Sequence, residues 1–200
     1  MLGLPAGTEI HKVITKKKVY EHFGAEMSAE RRKSFDADIA RITLTNEVSP
    51  VSVNIAAGEN INAFFVLLVE LKRKDFDKQN IAFLTKMFQQ KLLLVLEYEG
   101  KQSLAVWQTR LILSTWAALD ALQVTLNGLD LDKVWESIIA GIAGVEVTQG
   151  QTLDEQLAAQ QKRQKLEKEI AKLEKLAWAE KQPRRKMQLM KEIIFLKEEP

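Results

Sequence analysis

Glu70 and Lys72 are the residues of this 200-residue chain whose types and spacing first suggest chemistry. They close the apolar run "FFVLLVELKRKDF", residues 64–76. Two residues apart on a strand, they would point to the same face. A carboxylate and a lysine so placed are the core of the Glu-x-Lys class of Mg²⁺-dependent DNA nucleases. There the carboxylate binds the metal and the lysine orients the attacking water. Such a site needs a second acid on a neighbouring strand. Glu59 in "AAGEN" is the nearest upstream candidate and Glu47 the next. Neither follows a Pro-Asp pattern. The competing reading is structural: a core strand surfaces at Glu70, and "ELKRKDFDK" is solvated.

Other chemistries are excluded or poorly supplied. There are no cysteines, which removes disulfides, thiolate metal sites and cysteine nucleophiles. The two histidines, His11 and His22, are too few for a classical zinc site. No Gly-x-Ser-x-Gly turn offers a serine nucleophile. Single glycines in "AAGEN" and "YEGK" do not make a phosphate cradle. No cofactor is expected. A net charge of +2 gives no global field toward nucleic acid, so any basic patch is local. Four such clusters occur, and Lys181, Arg184, Arg185 and Lys186 crowd the most distinctive one. It could contact DNA phosphates or an acidic protein surface. Trp178 lies just before it on a charged stretch, as a docking anchor or a partner hot spot.

The elements that must position these residues fall into two groups. Through about residue 147, helical and strand patterns mix. A helix over 17–23 would stop at Gly24, and another would start at the cap Ser28 and run to about Phe35. Strands are expected at 39–48, at Val51, Val53 and Ile55, at 64–72, on either side of a Glu99-Gly100 turn, and in "LDALQVTLNGL". Leu92–Leu96 is continuously apolar, which implies cover on both faces. Between strands, Ile81, Leu84, Thr85 and Phe88 space a helix capped by Asp77. The stripe Leu131, Val134, Trp135, Ile138, Ile139 and Ile142 spaces another, stopped at Gly144. From 152 to 198 the composition is Ala, Gln, Glu, Lys and Leu. Leu166, Ile170, Leu173 and Ala177 fit a coiled-coil seam, Pro183 breaks the helix, and Met187, Met190 and Ile194 resume it. The expected fold is therefore α+β: a mixed-sheet domain, 1–147, followed by a helical hairpin arm, 152–198. The N-terminus lacks a signal-peptide pattern, and Ala63–Val69 is too short for a membrane span. A cytoplasmic protein without membrane contact is expected.

Three stretches in order, "LPAGTEIHKVITKKKVYEHF", "VLLVELKRKDFDKQNIAFLTKMFQQKLLLVLEYEGKQSLAVWQT" and "LEKEIAKLEKLAWAEKQPRRKMQLMKEI", resemble a bacterial domain-of-unknown-function family of about this length. Leu-x-x-x-Ile-x-x-Leu, Glu-Lys-Gln and Arg-Lys-x-x-Leu near the C-terminus are the most specific part. The chain departs from the pattern at Phe88-Gln89, where Ile-Pro is usual. Members are commonly encoded beside DNA methyltransferases and DEAD-box-type helicases, in loci resembling type III restriction or phage-defence systems. The resemblance implies that context and carries no catalytic residues. Together with the partner-seeking arm, it leads to a non-catalytic accessory or scaffold subunit that binds a helicase or methyltransferase of its locus. Self-association through the arm is the other use of such a hairpin. The Mg²⁺ nuclease and a nucleic-acid-binding module at the basic tip are the alternatives.

Overall fold

The computed structural model describes residues 2–24, 27–86, 88, 90–119, 121–145 and 152–198, and Gln89 falls outside them. The chain divides into two compact units, Met1–Glu146 and Val147–Pro200. The first is α+β. A 3-10 turn, Ala6–Thr8, leads into β1 (Glu9–Ile14) and α1 (Lys16–Phe23). Thr15 caps α1 by accepting from the Lys18 amide, and Gly24 ends it. Ser28 caps α2 (Ala29–Asp38) by accepting from the Arg31 amide, with Glu30 in the first turn where the helix dipole favours it. Then follow β2 (Ile39–Val48), one helical turn α3 (Pro50–Val53), β3 (Phe64–Leu71), α4 (Lys78–Thr85) and β4 (Lys91–Tyr98). Glu99 and Gly100, both at positive φ, turn the chain tightly into β5 (Lys101–Trp107). Two short strands, β6 (Leu111–Leu113) and β7 (Ala117–Ala118), precede α5 (Leu131–Ala143). Asp130 caps α5, and Gly144, at φ 66°, supplies the left-handed residue that closes it.

All seven strands join one sheet in the order β1-β2-β3-β4-β5-β6, with β7 also on β5. Among the described strands β3 and β4 are the parallel pair, and α4 is their crossover. One face carries Ile42, Leu44, Leu67, Val69, Leu71, Leu92, Leu94 and Leu96. These pack with Val19 of α1, Phe35 of α2, and Ile81 and Leu84 of α4. On the other face α5 lies against β5 and β6, and Trp135 stacks at a tilt on Phe64, with ring centroids 5.2 Å apart. Leu92 through Leu96 are all buried, as a strand covered on both faces requires.

Two local expectations change. Val51, Val53 and Ile55 do not form a strand. Pro50 sets the first turn of α3, the Ser52 hydroxyl accepts from the Ser49 amide at 2.9 Å, and Val51 stays 97% exposed. The 121–127 stretch is not a regular strand either, and the Val124 amide donates to the Leu2 carbonyl at 3.0 Å. Conversely β1 is a strand the pattern hides. It is an edge strand with only Ile14 buried, so it has no alternation to read.

The second unit holds α6 (Leu153–Ala179) and α7 (Pro183–Glu198). Thr152 and Glu155 form a reciprocal capping box at the start of α6. Pro183 occupies the first position of α7, where its missing N–H costs nothing. Leu166, Ile170 and Leu173 are half-buried and Ala177 is fully buried, while most of their neighbours are exposed. On α7 the covered stripe is Leu189, Ile193 and Leu196. An ion pair of 2.8 Å joins Lys197 to Glu174 across the two helices. No helix among the described residues is long and apolar enough to cross a membrane.

Candidate functional site

Charged and polar side chains from four strands line up at the end of β3. Strand register sets Arg41, Glu70, Glu97 and Gln102 side by side across β2, β3, β4 and β5. Buried Gln102 donates Nε2 to Glu97 at 3.1 Å. Glu70 therefore has a carboxylate neighbour, but it is Glu97, downstream, not Glu59. The signal was present in the sequence as a repeated cadence, "LLVE" and "LVLE", each an apolar run ending in Glu.

Glu59 and Glu47 belong to the other end of β3. Glu47 pairs in register with Phe65. Glu59 precedes Phe64 in a loop that wraps the first turn of α5. Asn60 donates its amide and side chain to Asp132 at 3.1 and 3.2 Å. Burial pushes the Asp132 carboxyl up, but these bonds and the backbone bonds from Ile61 and Glu59 hold it below its ordinary range. Six residues of strand, roughly 20 Å, separate this end from Glu70.

Lys72 does not join Glu70 either. Its amide donates to the Asp38 carbonyl at 2.7 Å, and its ammonium to the Asp36 carbonyl at 2.7 Å. A cation there satisfies the last carbonyls of α2 and opposes the helix dipole. The structure thus does not bring Glu59, Glu70 and Lys72 together. Among the described residues, no group of three or more His, Asp or Glu side chains is placed to hold a metal ion.

What "ELKRKDFDK" builds is a clasp around Asp38. This carboxylate is fully buried. One oxygen accepts from the Asp77 amide at 2.9 Å and from Asn80 Nδ2 at 2.6 Å, and the other binds Arg73 Nε. Asn80 also reaches Ser34, at 3.0 Å, and Arg31 binds Asp77 at 2.6 Å. Buried charges persist only when satisfied this way. Nearby, burial pushes the Asp36 carboxyl up. Bonds from Lys16 and Tyr20, with the Lys16 and Lys72 charges, outweigh that and hold it low. The Tyr20 hydroxyl is raised by burial and by the neighbouring Asp36 carboxylate.

The arm carries the other candidates. A groove of about 310 Å³ runs between α6 and α7, floored by Ala177, Met190, Ile193 and Ile194 and flanked by Trp178 and Lys186. Trp178 is 86% exposed. Met187, Met190, Ile194 and Phe195 are each at least half exposed, so the stripe read as the apolar face of α7 is an outward one. Lys181, Arg184, Arg185 and Lys186 are all exposed at the turn and the start of α7. Arg185 faces Glu180 at 3.7 Å, a loose pair. Sequence reasoning singled out Trp178 and the basic tip and did not join Met190, Ile193 and Ile194 into one groove. Helical spacing alone does not say which of two stripes faces inward.

A family model described as a domain of unknown function, DUF4391, matches residues 2–199. No curated protein and no solved structure matches the chain.

Proposed function

The chain belongs to the DUF4391 family of domains of unknown function, and on that footing we propose that it is a non-catalytic accessory subunit that docks a partner protein through its C-terminal arm. One observation carries this reading: the apolar groove of the arm, with Trp178 standing beside it at 86% exposure. A large aromatic, a methionine and two isoleucines around one concavity have the composition of a protein-binding hot spot. The β3 end, by contrast, spends Lys72 on the end of α2 and sets Glu59 at the far end of the strand. The family resemblance points to the partner: a helicase or DNA methyltransferase encoded in the same restriction-like or phage-defence locus. The two helices are then a coiled-coil-like arm that reaches that subunit.

The test is co-purification of the chain with the products of its neighbouring genes, with and without residues 152–200. Loss of the complex on deletion, with the first unit still folded by circular dichroism, is the expected result. Undiminished complex formation overturns the reading.

A further inference from the structure

We infer that the arm's groove receives an amphipathic helix whose polar flank is acidic, which rests on the docking reading above and specifies the occupant. Three observations carry it. The groove floor, Ala177, Met190, Ile193 and Ile194, is aliphatic and thioether, the lining that accepts the apolar stripe of a helix. Trp178, largely exposed, lines it as well and offers an aromatic face to a bound side chain. The charged residues lining the groove are Lys186, Lys197 and Glu174, the last two paired with each other, and the surrounding stretch of the arm is basic. Between residues 172 and 197 the arm carries eight Lys and Arg against three acids. Two of those acids are already engaged, Glu174 by Lys197 and Glu180 by Arg185. Lys186 lines the groove, and Lys175, Lys181, Arg184 and Lys191 are exposed on the same stretch of the arm.

That charge discriminates among occupants. A second copy would bring its own basic tip against this one, and like charges facing each other across an interface are repelled. A nucleic acid would match the sign. Single-strand binding, however, uses several aromatic platforms for successive bases, whereas Trp178 is the one aromatic lining this groove and its floor is aliphatic. An acidic amphipathic helix satisfies both the floor and the rim. Apolar residues at i, i+3 or i+4, and i+7 would fill the groove, and Glu or Asp on the flanks would pair with Lys186 and Lys191.

The experiment is selection from a displayed library of helix-forming peptides about five turns long on the full chain, followed by fluorescence anisotropy of the enriched sequences. The proposal expects enriched peptides with an apolar helical stripe and net negative charge. They should bind the Met190→Glu/Ile194→Glu variant at least about tenfold more weakly. The Lys186→Glu/Lys191→Glu variant should lose about tenfold at low salt, and that gap should close as salt rises. All four positions are exposed, so the variants are expected to keep wild-type helicity, checked by circular dichroism. Enriched peptides that are basic or neutral, peptides that bind the groove variant equally well, or no enrichment at all each overturn the proposal. So does saturable oligothymidylate binding that Trp178→Ala abolishes, which would assign the groove to nucleic acid. A concentration-dependent dimer that Ile194→Glu dissolves would assign it to a second copy and overturn it too. If deleting 152–200 removes the locus partner while no acidic preference is found, only the occupant is wrong and the docking role stands.

Discussion

Ile193 and Ile194 are adjacent in sequence and should respond to truncation in opposite ways. Ile193 is 5% exposed and Ile194 54%. Truncating a buried isoleucine to alanine costs the lost transfer energy and the cavity left behind, about 2–5 kcal/mol. A two-helix unit can partly collapse onto the gap, so the low end applies, about 2 kcal/mol. For a unit of this size that is roughly a 10 °C fall in Tm. Ile194 keeps less than half of its surface covered, and fully burying an isoleucine gains about 1.5–3 kcal/mol. Alanine retains part of what is covered, so Ile194→Ala should cost about 1 kcal/mol or less. The assay is amide hydrogen exchange across 166–197, supported by thermal unfolding followed by circular dichroism. Ile193→Ala should lose protection in both helices. Ile194→Ala should leave exchange near wild type while weakening the partner complex. Equal losses from the two variants, or a larger loss from Ile194→Ala, would show that α7 packs by the other stripe and would remove the groove on which the docking role depends.

Three further outcomes follow from the same geometry. Asp38→Ala strips the acceptor from the Asp77 amide and the buried Asn80 side chain and should lower unfolding stability by about 3 kcal/mol in urea titration; a loss under 1 kcal/mol would mean the clasp contributes little. Asp132 has its folded pKa held below the ordinary 3.8, so its contribution is present above 3.8 and is lost as pH falls through the folded value. Asp132→Asn should therefore show a lower Tm than wild type at neutral pH and a deficit that narrows below pH 3.8; a deficit that is constant with pH would rule out the carboxylate as its source. Trp178→Ala should change folding stability by no more than about 0.5 kcal/mol yet loosen the partner complex by about 2 kcal/mol, roughly thirtyfold in Kd by titration calorimetry.

Where one physical cause dominates a segment, the sequence announces it. The stripe from Leu131 to Ile142 reads as a helix because every member is buried on one side, and Asp130 and Gly144 mark its ends by cap chemistry alone. The β4–β5 hairpin reads from two apolar runs and a Glu-Gly turn. Legibility fails where causes compete. At residues 50–55 the β-branched alternation is outweighed by a proline and two serines that nucleate a helical turn. In β1 the partner strand supplies the structure and the side chains supply no pattern.

The same competition explains the two candidate sites. Glu70 and Lys72 match a catalytic spacing, but spacing within one strand does not fix what lies beside it. Register puts Glu97 next to Glu70, and the end of α2 takes Lys72. On α7 two stripes, Met187-Met190-Ile194 and Leu189-Ile193-Leu196, have equally helical intervals. Only packing decides that the second is the inner one. A helix apolar on both faces, with one already covered by α6, has a face left for something else to cover. That surplus is a stronger statement about function than any motif in the chain: an isolated hairpin needs one apolar stripe per helix, and α7 carries two.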